Sequence, residues 1–286
     1  MELRRLNSYE RLRSVMLAFP IGDIFNRISD PSQAMFTETP DVMKVCWELQ
    51  RYADLLIRLG VTVEKFLYYK HPNQIFLADL AAVIDDRILV GSPKHPIRKG
   101  EEIALREKLC NIGIYNSGSF HCSRPAHPRP KQSSLEAADI LLTDRYVIAA
   151  VGGRSTVDGV SSLVKRRLIG GRQLYMVDAL PEGIPQHLLG HKHILGPSLL
   201  LSRVELCDDR LAFEHVICVR ETEEVVKGFA MNIVVIGKGL IVMPEGCPET
   251  QSLYEHHGIT CLTTPMSEIH KMGGGLACCT LELYRG

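Results

Sequence analysis

The sequence lacks the features that would place it in several large classes of protein. Its 286 residues carry equal numbers of basic and acidic side chains, and no tract of either charge stands out. Binding to nucleic acid is therefore not expected, because no basic tract is present, and no acidic tail indicates a disordered partner-binding region. No apolar run reaches the length of a membrane span, and residues 1–5 have no apolar signal-peptide core. Membrane association is therefore not expected either.

The cysteines form no pattern that indicates a structural role. Nine is an odd number, and no C-x-x-C pair occurs, which argues against a disulfide framework and against a zinc ribbon. No ligand spacing indicates a metal, and no motif indicates a bound cofactor. We therefore expect a soluble, reduced, cytoplasmic protein without metal or cofactor.

The most informative segment is the apolar, glycine-rich tail from Met272 to Leu281, which contains the adjacent Cys278 and Cys279. Glycine allows the backbone to approach a substrate closely, and flanking amide groups lower the pKa of a thiol. One prediction is therefore that Cys278 is a nucleophile at the start of a short strand. The alternative is a buried terminal strand whose cysteines are small hydrophobic side chains.

Strand-like runs alternate with helical spacing along the whole chain. Helices are predicted over 42–59, 101–109, 157–168 and 250–257, and hairpin turns at 85–86, 143–145 and 237–239. The unit of hairpin, helix and strand recurs, which indicates one quasi-repetitive α/β domain over residues 1–286 with a central site. Residues 116–134 are rich in glycine, serine, proline and basic residues and predict a loop.

Four motifs occur in a characteristic order along the chain. They are PNQIFLADLA at 72–81, LEAADIL at 135–141, GGRS at 152–155 and SEIHKMGGGLACC at 267–279. In order and spacing they resemble the dimethylarginine dimethylaminohydrolases of the guanidine-modifying amidinotransferase and arginine deiminase superfamily. The resemblance runs from about Arg11 to Leu283. It implies a five-bladed α/β propeller with pseudo-fivefold symmetry, the pentein fold, which agrees with the recurring unit.

The resemblance also implies roles for individual residues. In that family a cysteine thiolate attacks a guanidinium carbon and expels an amine, and water then releases a ureido product. Cys278 takes the position of the nucleophile, Asp79 that of a carboxylate that holds the guanidinium, and Glu136 that of the acidic residue that orients a histidine. Arg98 and Arg154 take the positions of arginines that bind the α-carboxylate of the substrate.

Several positions depart from the family pattern. The first member of the acidic pair beside Asp79 is Ala78, and Asn73 replaces a usual acidic residue in the substrate-binding set. The family histidine belongs to a His-Leu motif on a strand that we align with residues 210–216, where Ala212 or Phe213 takes its place. His215 is the substitute base that this alignment predicts. Loss of two carboxylates favours a substrate that keeps a carboxylate but is less cationic at its reacting end.

Three functions remain open from the sequence. The first is a cysteine-dependent hydrolase of this superfamily that acts on an arginine-like or related amino acid through a covalent adduct of Cys278. The second is a pseudoenzyme that binds such a ligand without turnover, and the third is an amidinotransferase. In each case the partner is a small amino-acid-like molecule, and a homodimer is compatible with the sequence.

Overall fold

The computed structural model describes residues 2–114, 133–177, 187–204 and 213–286. Within these ranges the chain has a mixed α/β fold with five small sheets. The strands are β1 (Leu12–Pro20), β2 (Thr62–Tyr68), β3 (Ala81–Ile84), β4 (Arg87–Val90), β5 (Ile140–Leu142), β6 (Tyr146–Ala150), β7 (Gln173–Val177), β8 (Lys192–Ile194), β9 (Leu199–Arg203), β10 (His215–Val219), β11 (Val234–Gly237), β12 (Leu240–Pro244), β13 (Thr260–Thr264) and β14 (Leu281–Arg285). The helices are α1 (Val42–Arg58), α2 (Leu77–Leu80), α3 (Glu101–Asn111), α4 (Val157–Lys165), α5 (Glu223–Val226), α6 (Pro248–His256), α7 (Ser267–His270) and α8 (Leu276–Cys279).

The sheets share one pairing pattern. In four of them the middle strand pairs antiparallel with one neighbour and parallel with the other, in the orders β14-β1-β2, β5-β6-β7, β8-β9-β10 and β11-β12-β13. The fifth sheet is, within the described ranges, the β3-β4 hairpin. Helices α1, α4 and α6 each lie between the middle strand of a sheet and its parallel neighbour, because parallel strands need a crossover connection. This recurrence agrees with the unit expected from the sequence.

The C-terminal strand closes the chain onto its beginning. β14 pairs antiparallel with β1, so that Val15 lies opposite Glu282 and Met16 opposite Leu281. The buried carboxylate of Glu48 on α1 also accepts hydrogen bonds from the backbone N–H groups of Glu268 and Ile269, at 2.9 and 3.0 Å, at the start of α7. These contacts hold the glycine-rich tail against the N-terminal half of the chain.

Helix α1 shows how local sequence sets an element. Asp41 caps its first turn by accepting hydrogen bonds from two backbone N–H groups, and Gly60 follows its end with a φ of +77°. The side chains of Val45, Leu49 and Leu56 recur at helical spacing and are fully buried in the main hydrophobic cluster. The helix predicted over 42–59 is therefore present with nearly the expected ends.

Other predicted elements are present with shifted ends. The three predicted hairpins appear as β3-β4, β5-β6 and β11-β12. The helix predicted over 157–168 ends at Lys165, two residues before Arg167 adopts a left-handed φ of 54°. Most of the predicted loop at 116–134 lies outside the described residues. No helix in the described ranges is long and apolar enough to cross a membrane.

The burial of α1 leads to a stability prediction. We expect Leu49→Ala to lower the free energy of unfolding by about 2–5 kcal/mol, because Leu49 is fully buried and its truncation leaves a cavity. The matched control on the same helix is Met43→Ala, whose side chain is 74% exposed and whose loss should change stability by less than about 0.5 kcal/mol. Urea unfolding followed by circular dichroism measures both values. Equal effects of the two substitutions would contradict the packing described here.

Candidate active site

A small cavity of about 50 Å³ lies where distant segments of the chain meet. Its polar wall is formed by Asn73, Asp79, Arg98, His187, His191, Asn232 and Cys278. Its apolar wall is formed by Met35, Phe76, Val225, Val226, Phe229 and Met272. The cavity thus combines a thiol, a histidine and charged groups with an apolar surface, which is the usual composition of a small-molecule site.

Cys278 is presented by a helical turn. The expected short strand does not hold it, because α8 covers Leu276–Cys279 and β14 begins only at Leu281. Two glycines just before this turn allow its backbone to lie close to the side chains of Phe76 and Asn232. A Cβ atom on Gly274 would lie 2.4 Å from the ring of Phe76, and one on Gly275 would lie 2.9 Å from the side-chain oxygen of Asn232.

The side chain of Asn232 fixes the thiol. Its Oδ1 accepts hydrogen bonds from the backbone N–H groups of Ala277 at 2.7 Å and Cys278 at 3.4 Å, and its Nδ2 donates to Cys278 Sγ at 3.1 Å. One buried amide therefore orients both the turn and the sulfur atom. The sequence motifs did not indicate Asn232, because it lies 46 residues before Cys278.

The thiol is neutral in this site at pH 7. Burial is the main cause that raises the pKa of Cys278 to about 11, and the charge of Asp79 adds to it. The hydrogen bond from Asn232 and the charge of Arg98 act in the opposite direction but do not outweigh burial. Since the thiolate is the nucleophilic form, Cys278 needs a further positive charge in the cavity to become reactive.

His187 lies between two carboxylates. Its Nε2 is 2.6 Å from Glu136 Oε2, and its Nδ1 is 3.4 Å from Asp79 Oδ1. Burial alone would lower the pKa of His187, but the charge of Asp79 and the hydrogen bond with Glu136 outweigh it and raise the pKa to about 9. The imidazole is therefore protonated at neutral pH and is able to donate a proton to a leaving group.

Glu136 is held in place by the backbone. Its Oε1 accepts a hydrogen bond from the backbone N–H of Lys94 at 2.8 Å. Burial opposes its ionisation, but the hydrogen bond and charge of His187, together with the charge of Arg98, lower the pKa of Glu136 to about 2. The carboxylate thus orients His187 in the way that the resemblance implied for the family histidine.

The structure does not bring His215 to the cavity. His215 is exposed at the start of the edge strand β10 and is absent from the described residues that line the cavity. The prediction that His215 replaces the family histidine is therefore not supported by the geometry. The aligned residues 210–212 lie outside the described residues. The available signal was His187-Leu188, the single His-Leu pair in the sequence, which precedes β8 and was not compared with the family motif.

Arg98 also has a different environment from the one expected. It is buried and forms an ion pair with Asp79 Oδ2, and its Nε and Nη2 donate to Glu101 Oε2 at 3.0 and 2.8 Å. Its Nη2 also lies 3.3 Å from the carbonyl oxygens of Asn73 and Phe76. With its donors directed to these protein groups, Arg98 is not placed to bind the carboxylate of a substrate.

Asp79 keeps one oxygen atom for a ligand. Its Oδ2 is paired with Arg98, whereas Oδ1 is buried and has no hydrogen-bond partner among the described residues, with His187 Nδ1 at 3.4 Å outside hydrogen-bond geometry. A buried oxygen of this kind is costly unless a donor completes it. Asn73 is buried beside it and uses its own amide to donate to the carbonyl oxygen of Ala34 at 2.9 Å.

Arg154 lies near the cavity without lining it. It is half-buried, and its Nη2 contacts the sulfur of Met35, which lines the cavity, at 3.2 Å. Its charge lowers the pKa of the neighbouring His95, after the larger effect of burial. Of the two expected carboxylate-binding arginines, Arg98 lines the cavity, whereas Arg154 contacts a lining residue from outside it.

One group of side chains could also offer ligands to a metal. Single atoms of Asp79, Glu136 and His187 all lie within 4.8 Å of one another. In the present arrangement the imidazole carries a proton at neutral pH and its Nε2 is engaged with Glu136, so a cation would have to displace that proton. The three side chains form a network of charged contacts around His187.

Solved structures of guanidine-modifying hydrolases and transferases superimpose on almost the whole chain, so this chain has their fold. The resemblance expected from the sequence motifs is thereby confirmed at the level of the fold. No protein-family model matches the chain.

Four solved structures of such proteins show how similar this chain is to them. A dimethylarginine dimethylaminohydrolase from Pseudomonas aeruginosa, a cysteine-to-serine variant complexed with citrulline, has a TM-score of 0.74 and 17% identity, over 96% of this chain and 100% of that one. A histidine-to-glycine variant of a dimethylarginine dimethylaminohydrolase, an adduct with S-methyl-L-thiocitrulline, has the same TM-score of 0.74 over 95% of this chain and 100% of that one, at 17% identity. The N-terminal domain of the cyanobacterial arginine dihydrolase ArgZ has a TM-score of 0.77 and 19% identity, over 96% of this chain and 98% of that one. The amidinotransferase SxtG from Microseira wollei has a TM-score of 0.73 and 14% identity, over 99% and 97%.

Two sequence relatives carry no assigned activity. An uncharacterized protein of Aeropyrum pernix is 26% identical over 240 residues, 82% of each chain. The uncharacterized protein YkgA of Bacillus subtilis is 26% identical over 229 residues, 75% of this chain and 71% of that one.

The state of the thiol leads to a reactivity prediction. We expect alkylation of Cys278 by iodoacetamide to keep rising well above pH 9, because burial raises its pKa to about 11. Asn232→Asp keeps an acceptor for the backbone of the turn, but it removes the donor to sulfur and adds a negative charge. The substitution should raise the pKa of Cys278 further. Each unit by which this pKa rises should slow alkylation at pH 8.5 about tenfold.

Peptide mass spectrometry with fragmentation between residues 278 and 279 distinguishes Cys278 from the adjacent Cys279 and from the other cysteines. Cys110, which is exposed on α3, is the internal control whose rate should not change. An ordinary thiol pKa near 8.5 for Cys278, or no effect of Asn232→Asp, would contradict the geometry.

The charge of His187 leads to a second prediction for this site. NMR titration of the imidazole should show protonation up to about pH 9, whereas His193, whose pKa burial lowers to about 4, should remain neutral over the same range. Glu136→Gln should lower the pKa of His187, because the carboxylate that stabilises the cation is lost. His187→Gln identifies the resonance, and titration of His187 near pH 6.5 would count against the ion-pair network.

Proposed function

We propose that this protein is a cysteine-dependent hydrolase of the guanidine-modifying superfamily that acts on a guanidino or amidino amino acid through a covalent adduct of Cys278. The observation that carries the proposal is the presence of Cys278, the protonated His187 and the open oxygen of Asp79 in one cavity. A thiol, a proton donor and a carboxylate for the cation are the groups that this chemistry needs.

The proposal includes the finer architecture of the superfamily. We propose that the five sheets are the blades of an α/β propeller with pseudo-fivefold symmetry and that residues 1–286 form a single domain. The shared pairing pattern of the sheets and the closure of β14 on β1 support this arrangement.

In the first step the substrate cation activates the thiol. The planar cation donates a hydrogen bond to Asp79 Oδ1, which has no donor among the described residues of the free site. Its positive charge lowers the pKa of Cys278, and the thiol proton is released to solvent. Cys278 Sγ then forms a bond to the electrophilic carbon, while Asn232 keeps the sulfur atom oriented.

In the second step His187 serves as acid and then as base. It gives its proton to the leaving nitrogen, the bond from carbon to that nitrogen breaks, and the adduct remains on Cys278. The neutral imidazole then takes a proton from water, the resulting hydroxide attacks the same carbon, and the carbon–sulfur bond breaks. The products are an amine and a ureido compound, so one water is consumed for each bond hydrolysed.

The environment of Arg98 bears on the substrate. Because Arg98 is paired with Asp79 Oδ2, a substrate can form hydrogen bonds with only one oxygen of this carboxylate, Oδ1. This agrees with a reacting end that is less cationic than a methylated arginine. Arg154, which contacts the lining residue Met35, is the arginine we propose for the carboxylate of the substrate.

A ligand-binding protein without turnover is the second candidate. It is favoured by the neutral thiol and by the ion pair that occupies half of Asp79. The amidinotransferase alternative shares the covalent adduct and differs only in that an amine, not water, receives the carbon. A cytoplasmic location and a homodimer remain predictions, the first because a catalytic thiol requires reducing conditions.

The test is mass spectrometry of the intact protein with arginine, dimethylarginine and S-methyl-L-thiocitrulline. We expect turnover in the unmodified protein. In His187→Gly an adduct on Cys278 should accumulate with S-methyl-L-thiocitrulline, because its methylthio group leaves without a proton from His187 and this variant cannot activate water to release the adduct. Cys278→Ser should form no adduct, and Cys110→Ser, a change at an exposed cysteine, should behave as the unmodified protein.

The outcomes separate the candidates. Ligand binding without adduct or product in any variant would reject the hydrolase and support the binding protein. An adduct that is released by an added amine but not by water would support the transferase.

A further inference from the structure

A second cavity lies behind the candidate active site. It has a volume of about 30 Å³, and its polar lining consists of Arg5, Ser8, His193, Thr280, Glu282 and Arg285. Of the described residues, none lines both cavities, although adjacent residues such as Ala277 and Cys278 face opposite ones. The proposed reaction uses no group of this second cavity.

The second cavity contains more positive than negative charge. Arg5 and Arg285 are buried, with 6% and 1% exposure, and share the single carboxylate of Glu282. His193 is neutral, because burial lowers its pKa to about 4, and its Nε2 lies 2.7 Å from the carbonyl oxygen of Met231. Among the described residues these four are the ionisable groups of the lining, so two guanidinium groups share one carboxylate and the lining keeps a net positive charge.

Arg5 has the weaker attachment to the shared carboxylate. Arg285 directs its donors to Glu282 and to the carbonyl oxygens of Glu10 at 2.6 Å and Val235 at 2.8 Å. Arg5 donates to Ser8 Oγ at 3.1 Å, while its Nε lies 2.9 Å from Glu282 Oε2 without hydrogen-bond geometry and has no other partner in the described part of the chain. A buried cation in this situation is unfavourable unless an anion completes it.

We propose that this cavity is a binding site for a small monovalent anion such as chloride, held by the guanidinium of Arg5. The size of the cavity sets the class of ligand, since 30 Å³ accommodates one or two water-sized groups and excludes phosphate or an organic acid. The ligand neutralises the positive charge that Glu282 leaves uncompensated. The inference is independent of the proposed function.

The site is connected to the turn that carries Cys278. Ala277 and Thr280 line the cavity, and Thr280 Oγ1 bonds to the carbonyl oxygen of Leu276 at 2.7 Å and to Tyr52 at 2.8 Å. An anion bound there therefore stabilises the folded chain around α8 from its inner side.

Thermal unfolding at constant ionic strength tests the proposal. Replacing sodium gluconate, whose anion is too large for the cavity, by sodium chloride should raise Tm in a saturable way by about 2–4 °C. Arg5→Met should abolish this response. Arg4→Met removes the same charge from the adjacent, exposed position and should retain the response.

A crystallographic measurement keeps the test independent of how well Arg5→Met folds. Crystals of the unmodified protein grown with sodium bromide should show an anomalous peak within hydrogen-bond distance of the guanidinium of Arg5. A Tm that is the same in chloride and gluconate, an equal response in Arg5→Met, or a cavity without bromide would each overturn the proposal.

Discussion

The buried carboxylate of Asp79 is the constraint on which the candidate site depends. A carboxylate in this position must be balanced by positive charge, and the chain supplies Arg98 on one oxygen and the imidazole of His187 near the other. The same charge helps to keep His187 protonated and adds to burial, the main cause, in raising the pKa of Cys278. One buried negative charge thus favours a charged imidazole and a neutral thiol in the same cavity.

The site carries a cost in stability that the rest of the fold must offset. Glycines at 274 and 275, an unpartnered carboxylate oxygen and a cavity beside a thiol all weaken local packing. The packing of the buried face of α1 and the pairing of β14 with β1 stabilise the fold against this cost. Both hold the glycine-rich tail in place. The turn that carries Cys278 therefore lies on a well-packed scaffold, although its own surroundings are incompletely packed.

The sequence motifs identified two residues that line the cavity, Cys278 and Asp79, and Glu136, which contacts the lining residue His187. They could be identified because each belongs to a short contiguous motif. The same approach missed His187, although its His-Leu pair was present, because the comparison was made with a strand further along the chain. It also missed Asn232, which has no motif of its own. For Arg98 the position was right but the partners were not, since ion pairs depend on which distant side chains are close in space.

Local sequence determined the elements whose causes are local. The cap at Asp41 and the glycine at 60 bound α1, and short turns between apolar runs produced the hairpins. The glycines before Cys278 allow close approach to the side chains of Phe76 and Asn232. Only the tertiary structure decided the charges of the site. Arg98 meets Asp79 across 19 residues and His187 meets Glu136 across 51, and the protonation of buried groups follows from such partners and from burial, neither of which is written in the order of neighbouring residues.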